Sequence, residues 1–588
     1  MRYAIGCLSP NPSVRGDVEA LGIAIRVIAG REPALRIVVL PLGILRAPQD
    51  FAWSELQKVA RDCSVYISGA ESFSGKLQGF ILAPNDEPPL LQASMATQPA
   101  AAHVRICETP YGVLACLPGD DPWFPEYVRL AVFHGAEILL NPCAEQRDQQ
   151  SEARQLSRSA RAWENHAVLA CASAESDGEN LVEIWDHAGE LVVQGHGGSA
   201  TAIVDLAALR ERRRDPWVNF PATLRTQLYA GFYERGATTQ TAADSGPAYD
   251  VLLMQAHQVF ATDPQTRDAT IQGNLQRALA IARPFCLRPA TRLAVFPEFF
   301  LQGSAIGQTL DWWERMGIRV PGPETEQLAA FAQQCNVFVC GAVLEFDPTW
   351  PQRYFNTALI MAPSGEIILK YRKLQCADLN GILNVTTPGN IYTEYVARYG
   401  ENALIPVVDT EIGRLGTLIC FDSNWPELWR ALALQGAEVI CHPTSEIHSE
   451  RRGPWGRAKR AHAAENVVYV ASANAGSEQF SAQAPVTAMN RGHSALIDFH
   501  GRIASSADGP GVVPLLGHID LGALRRARAN PSENVLARFR PEAVAAAYRQ
   551  HPGFPLDCFA REPMQNAAEG PALVRKQIEA LRTAGIYQ

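Results

Sequence analysis

The sequence predicts an α/β protein built from two tandem copies of one layered domain, and three observations lead there. First, short strings recur in order along the chain. GAEILLNPCAE (135–145) returns as GAEVICHPTSE (436–446), an offset of 301 that also pairs Pro125–Glu126 with Pro426–Glu427 and Glu164–Asn165 with Glu465–Asn466. Second, each copy alternates β-branched runs with amphipathic helices, the pattern of layered α/β domains. Third, a small, polar stretch, GATTQTAADSGP (236–247), separates the copies and reads as a linker.

The repeat extends both ways from its centre. VVLPLGIL (38–45) matches AVFPEFFL (294–301) at an offset of 256, and LAP (82–84) matches MAP (361–363) at 279. Downstream, Asp186 and Gly189 pair with Asp498 and Gly501 at 312, and Asp205 and Pro216 with Asp520 and Pro531 at 315. Offsets that rise steadily are what two related copies differing by loop insertions produce. The copies are placed at 1–235 and 248–535. Residues 536–588, including ALVRKQIEALRTAGIY, read as a helical extension with no counterpart in the first copy.

In the second copy VLLMQA, LAVFPE, VFVCGAVLEF, FNTALIMAP, LGTLICFD, EVICHP, VVYVASAN and HSALIDF are expected strands. DATIQGNLQRALAIA and PELWRALALQ space their apolar residues as core-facing helices do. The whole chain has 588 residues, 47% of them hydrophobic and 19% charged, enough apolar content to pack a core. Its net charge of -9 argues against a nucleic-acid partner, which demands clustered Lys and Arg. No apolar run approaches a membrane span, and MRYAIGCLSP lacks a signal-peptide layout. Thirteen scattered cysteines without a CxxC pair suggest reduced thiols and a cytoplasmic setting. No metal-ligand cluster, phosphate loop or haem motif appears, so no metal and no cofactor are implied.

Three strand-end segments of the second copy carry candidate chemistry: FPEFFLQGS with Glu298, KYRKLQ with Lys373, and LGTLICFDSNWPELWR with Cys420. A thiol of ordinary pKa is only a few per cent ionised at neutral pH, so a nucleophilic cysteine needs a base and a positive charge. In this order and these surroundings the glutamate, lysine and cysteine resemble the nitrilase superfamily of carbon–nitrogen hydrolases. The resemblance implies an α-β-β-α sandwich per domain and hydrolysis of a non-peptide C–N bond. It casts Glu298 as general base, Lys373 as oxyanion stabiliser, Cys420 as nucleophile, and the Phe421 backbone N–H as a second oxyanion donor. It also implies a second glutamate between the lysine and the cysteine, for which Glu394 is the candidate, with Glu401 and Glu411 as competitors. Phe299, Phe300, Trp425 and His442 are candidate pocket residues, with core packing the alternative for each.

Substrate class is read from the residues after the cysteine. Nitrile-cleaving members typically show Trp-Glu there, whereas this chain has Phe421 and Asp422. N-carbamoyl hydrolases often place arginines next, whereas here stand Ser423 and Asn424. The run SNWPELWR resembles aliphatic amidases, and the lysine-to-cysteine spacing resembles carbamoylases. An amidase releasing ammonia is the leading expectation, an N-carbamoyl amidohydrolase the alternative, and a non-catalytic scaffold the reading from another class. In the first copy Leu42 matches Glu298 and Ser94 matches Lys373. Cys116 is aligned with Cys420 at an offset of 304, with three extra residues after the thiol, so that about 25 residues are missing before it. That copy is expected to be catalytically degenerate, with Cys116 a relic. Its expected use is architectural, pairing with the active copy inside one chain, with a homo-oligomer of the whole chain also plausible.

Overall fold

The computed structural model describes the chain except residues 11–15, 46–48, 74, 99–103, 146–147, 175–179, 197, 237–244, 304–309, 377–384, 448–452 and 488–490. Most of the expected linker, 237–244, lies outside the described residues. The first copy runs through β1 (Arg2–Ser9), β2 (Leu35–Leu42), β3 (Tyr66–Phe73), β4 (Lys76–Leu82), β5 (Leu90–Ala93), β6 (Ile106–Thr109), β7 (Gly112–Cys116), β8 (Ile138–Cys143), β9 (Val168–Ser173), β10 (Leu181–Trp185), β11 (Leu191–His196) and β12 (Gly198–Asp205). The second runs through β13 (Ala248–Val259), β14 (Thr291–Val295), β15 (Phe338–Phe346), β16 (Tyr354–Met361), β17 (Ile367–Arg372), β18 (Val407–Thr410), β19 (Gly413–Thr417), β20 (Val439–Thr444), β21 (Tyr469–Gln479), β22 (Ala495–Ile497), β23 (Ile503–Ser506) and β24 (Val513–Asp520).

The first copy folds into two six-stranded sheets, ordered β12-β1-β2-β3-β4-β5 and β11-β10-β9-β8-β7-β6. Strand for strand, the second copy repeats both orders, as β24-β13-β14-β15-β16-β17 and β23-β22-β21-β20-β19-β18. There β13 and β21 are longer and pair in parallel from Ala256 to Val259, joining the two sheets into one. Helices cover the outer faces: Val18–Arg31 and Gln49–Cys63 on the first sheet, with Leu21, Ile25, Leu56 and Val59 in a core that includes Val38, Leu40 and Ile67. Each domain is thus an α-β-β-α sandwich, as expected.

Backbone register corrects one alignment. Leu117 N donates to Leu140 O (2.8 Å) and Leu418 N to Cys441 O (3.2 Å), so the offset of 301 already holds at the end of β7. The pair Ser68–Cys116 (3.5 Å) matches Cys340–Thr417 (3.8 Å) in the same place. Cys116 is therefore the counterpart of Thr417, and Gly119, with φ +63, is the counterpart of Cys420, with φ +47. The three-residue insertion does not exist, and offsets of 279 and 301 leave 22 residues, not 25, absent from the first copy.

The two domains meet through helices that continue the repeat. Helix Pro125–Phe133 and its counterpart Pro426–Leu434 exchange buried ion pairs: Arg129 with Glu427 and Arg430 with Glu126, each at 2.9 Å. Next to them, helices Ser151–Asn165 and Gly453–Asn466 exchange Arg161 with Glu465 (3.0 Å) and His462 with Glu164 (2.9 Å). These reciprocal pairs describe a pseudo-twofold axis between the copies.

The helical extension is not wholly unmatched. Helix Pro541–Gln550 corresponds to helix Thr226–Arg235 at offset 315, with Tyr548 bonded to Glu427 (2.9 Å) as Tyr233 is to Glu126 (3.3 Å). Only the segment beyond it, ending in helix Glu569–Thr583, has no equivalent in the first copy. That segment docks back on the first domain, where Tyr587 OH donates to Asn219 (3.2 Å) and its ring lies under Arg213.

Candidate functional site

Strand ends of the second domain bring three of the expected groups into one buried cluster. Glu298 follows β14 and Lys373 follows β17, and the Lys373 Nζ donates to Glu298 Oε1 at 2.6 Å, with both side chains almost fully buried. Asn356, on β16, donates to the same carboxylate oxygen (2.7 Å), and its own carbonyl accepts the Lys373 N–H (2.9 Å). The backbone of Glu298 is fixed in turn by Thr444 O, which accepts its N–H (3.3 Å), and by Gln258, which donates to its carbonyl (2.8 Å).

Cys420 stands three residues past β19, at the first position of a 3₁₀ turn, Cys420–Asn424. The expected strand LGTLICFD ends at Thr417 because Cys420 takes a left-handed φ of +47, a conformation costly for a non-glycine residue and held by its surroundings. Those surroundings are specific. Asp422 accepts from Ile419 N (2.9 Å), Tyr371 OH (2.8 Å) and Gln375 N (2.8 Å), tying the cysteine turn to the segment just after Lys373. Asn424 donates to Phe421 O (3.0 Å), and the indoles of Trp429 and Trp455 donate to the carbonyl and hydroxyl of Ser423. The turn's first i→i−3 bond is donated by Asp422 N, so the Phe421 N–H precedes the hydrogen-bonded ladder.

The electrostatics are those of a protonated thiol beside a charged pair. Burial pushes the Cys420 thiol up to about 12, the Glu298 charge adds to this, and Lys373 offsets only part of it. Burial works against the Lys373 ammonium too, but the adjacent Glu298 more than offsets it and holds the lysine above its usual range. Burial also raises Asp422, to about 6.

His442 has a backbone task. Burial, reinforced by the Lys459 charge, pushes it down to about 3, so the ring is neutral at physiological pH. Its Nε2 lies 3.1 Å from the Cys420 carbonyl, an acceptor, and its Nδ1 2.9 Å from Ser472 Oγ. The proton therefore sits on Nε2, and His442 pins the Cys420 carbonyl, as Asn141 pins that of Gly119 (3.0 Å) in the first copy.

Other expected residues fall elsewhere. Glu394 lies on the exposed face of helix Tyr392–Tyr399, in an i,i+4 pair with Arg398 (2.8 Å), because only Tyr395 of that short amphipathic helix is buried. Glu401 and Glu411 are likewise exposed and pair with Arg235 and Arg292. Phe299, with φ +52, packs on Trp313; Phe300 stacks on Phe296; Trp425 is buried against Phe421 and Phe220. The buried carboxylate that the sequence reading passed over is Glu446, which takes Lys459 (2.8 Å) and Thr444 Oγ1 (3.0 Å). The Glu446 charge pushes the Cys420 thiol up, and a hydrogen bond from Thr444 pushes it down. The signal was available: Glu446 and Lys459 repeat as Glu145 and Arg158 in the first copy, where they pair again.

At the first copy's corresponding positions stand Leu42, Leu77, Ser94 and Gly119 in place of Glu298, Asn356, Lys373 and Cys420. No carboxylate, ammonium or thiol occupies those four places. Cys116, buried and pushed up to about 12 mainly by burial, is a packing residue.

Residues 253–529 match the family model "Carbon-nitrogen hydrolase". The bifunctional nitrilase/nitrile hydratase NIT4B of Nicotiana tabacum is 26% identical over 339 residues, 52% of this chain and 88% of that protein. The omega-amidase NIT2-A of Xenopus laevis is 26% identical over 255 residues, 43% of this chain and 86% of that protein. Among solved structures, Saccharomyces cerevisiae Nit3, a member of branch 10 of the nitrilase superfamily, aligns with TM-score 0.39 at 24% identity, covering 50% of this chain and 97% of that one.

Proposed function

Residues 253–529 belong to the carbon–nitrogen hydrolases of the nitrilase superfamily, and from that premise we propose that the chain hydrolyses a small non-peptide amide, releasing ammonia through a Cys420 thioester. The observation that carries the reading is the buried Glu298–Lys373 pair beside a thiol mounted on a strained turn. A thiol near pKa 12 is almost wholly protonated at neutral pH, so attack needs its proton removed as the S–C bond forms. Glu298 takes that proton. The carbonyl oxygen becomes an oxyanion facing the Lys373 ammonium and the Phe421 N–H. Glu298 then protonates the nitrogen, the C–N bond breaks, and ammonia leaves a thioester. Water, deprotonated by Glu298, attacks it; the C–S bond breaks, Cys420 recovers its proton, and the carboxylic acid departs.

An amide is favoured over a nitrile by the absence of Trp-Glu after the cysteine. The N-carbamoyl alternative keeps its lysine-to-cysteine spacing but lacks arginines after the cysteine, where Ser423 and Asn424 stand. The first domain is read as non-catalytic, from its Leu42, Leu77, Ser94 and Gly119. The deciding experiment is ammonia release from a panel of aliphatic and aromatic amides, N-carbamoyl compounds and nitriles, with Cys420→Ala in parallel. Turnover of amides that vanishes in the variant is the expected result. Equal rates in variant and parent would remove Cys420 as nucleophile, and a preference for nitriles or N-carbamoyl compounds would overturn the amidase reading.

A further inference from the structure

The non-catalytic copy reaches the active copy's site at two places, the cysteine turn and the chain after the lysine. At the turn, Trp163 Nε1 donates to Asn424 Oδ1 (3.3 Å), and Phe220 packs edge-on against Trp425 (5.3 Å) and tilted against Phe421 (6.1 Å). Asn424 is the residue that also clasps Phe421 O, so the first copy grips the turn that presents Cys420 and its oxyanion donor. After the lysine, the buried Arg225 guanidinium donates to Leu374 O and Thr387 Oγ1 (3.4 Å each) and to Asn390 Oδ1. Leu374 is Lys373's immediate neighbour, while Thr387 and Asn390 stand further along the same connection. Tyr229 OH accepts from Gln375 Nε2 (3.4 Å), two residues past the lysine. The second domain is shaped to admit this arginine: a Cβ on Gly389 would lie 2.6 Å from Arg225 Cδ.

The aromatic contacts differ between the two directions. At the positions related by the pseudo-twofold, the active copy carries Ala464 for Trp163, Val535 for Phe220 and Val544 for Tyr229. Three aromatic side chains therefore point from the first copy toward the second with smaller residues at the related positions, while Arg225 is matched by Arg540 and the first copy's own turn is met instead by Phe539 and Arg538.

We propose that Phe220, Trp163 and Arg225 of the first copy are positioning residues for the Cys420 turn and the Lys373 segment of the second, so that the functional site is built from both domains. This rests on the reading of Cys420 as nucleophile. Misplacing a nucleophile by about 1 Å costs on the order of 10²-fold in rate, whereas a purely architectural contact changes only how much protein is folded.

The test uses the full chain with Phe220→Ala, Phe220→Leu, Arg225→Gln and Gly389→Ala, and with Leu56→Ala as a control in the first copy's outer core. Two assays are read per folded molecule: turnover of the best amide, giving kcat and KM, and the iodoacetamide alkylation rate of Cys420 followed by mass spectrometry. Phe220→Ala, Arg225→Gln and Gly389→Ala are expected to lower kcat about tenfold or more with KM little changed, and to alter the Cys420 alkylation rate severalfold. Phe220→Leu should recover most of the loss. Leu56→Ala should lower the melting temperature and leave both readouts alone. Parental kcat and alkylation in Phe220→Ala, Arg225→Gln and Gly389→Ala would overturn the proposal. If the parent turns over none of the compounds, the functional reading fails by itself, and the alkylation rates still decide the positioning role.

Discussion

Glu298→Gln separates the acidity of the thiol from the rate of the reaction. The amide keeps an oxygen to accept from Lys373 and Asn356, so the cluster's hydrogen bonds survive while one negative charge and the base itself are lost. With the thiol near 12, roughly one molecule in 10⁵ is thiolate at pH 7, too few for a preformed nucleophile to carry turnover. Removing the Glu298 charge, which pushes the thiol up, leaves Lys373 unopposed, so Cys420 becomes more acidic. Losing general-base catalysis costs about 10²–10⁴ in rate. Glu298→Gln therefore makes the nucleophile easier to ionise and the enzyme slower. The assay pairs kcat with the pH dependence of Cys420 alkylation between pH 6 and 11. The expected result is a kcat lower by about 10²–10⁴ and an alkylation profile displaced to lower pH. A variant within tenfold of the parent, or a profile displaced upward, would refute the assignment of Glu298 as base to a protonated thiol.

Three further outcomes are expected. Arg430→Met strands Glu126 at the domain interface with Tyr233 as its hydrogen-bond donor, and should cost about 3–5 kcal/mol in urea unfolding, as breaking a buried pair does. A loss below about 1 kcal/mol would mean that water already reaches the pair. His462, between Glu164 and Glu465, is raised: burial opposes its charge, but the two carboxylates more than offset this. Its contribution is complete below the ordinary histidine range and lost as pH rises through the raised value, so urea midpoints should fall on the alkaline side in the parent and less in His462→Gln. Glu394→Gln should leave kcat within twofold and stability within about 0.5 kcal/mol, because an exposed i,i+4 pair contributes little.

Much of this was legible in the sequence, for physical reasons that also explain the misses. Glu298 and Cys420 stand out because each closes an apolar run, and Lys373 because it follows directly on strand β17. The duplicated fold was legible because strand pairing forces both copies to keep their hydrophobic rhythm while loops change length. The alignment of Cys116 with Cys420 failed because identical residue types outweighed register, which only the β7–β8 and β19–β20 hydrogen bonds fix. Glu394 lies between the lysine and the cysteine along the chain, yet a short amphipathic helix buries Tyr395 and turns its neighbour to solvent. Helix Pro541–Gln550 went unmatched because little beyond Tyr548, Ala545 and Arg540 resembles the first-copy helix segment. Glu446 was missed although the repeated strings contain it, because a glutamate after a strand reads as solvent-facing until Lys459, thirteen residues on, comes back to neutralise it.

Comparing the copies with each other shows what each is constrained to keep. Glu126 and Glu427, Arg129 and Arg430, and Tyr233 and Tyr548 are identical pairs, while Leu42 and Glu298, Ser94 and Lys373, and Gly119 and Cys420 differ in every chemical respect. An isologous interface explains the first group, because each ion pair takes one residue from each copy and a change on one side leaves a buried charge on the other. A reaction site imposes no such reciprocity: one set of strand ends suffices, and the other set is free to lose its polar groups. The helix that carries Glu427 and Arg430 begins at Pro426, six residues after Cys420. The interface is therefore anchored within two turns of the nucleophile, and whatever holds the copies together also holds the turn. Loosening the interface is therefore expected to reach the left-handed backbone at Cys420, because Trp163 and Phe220 of the first copy contact that same turn.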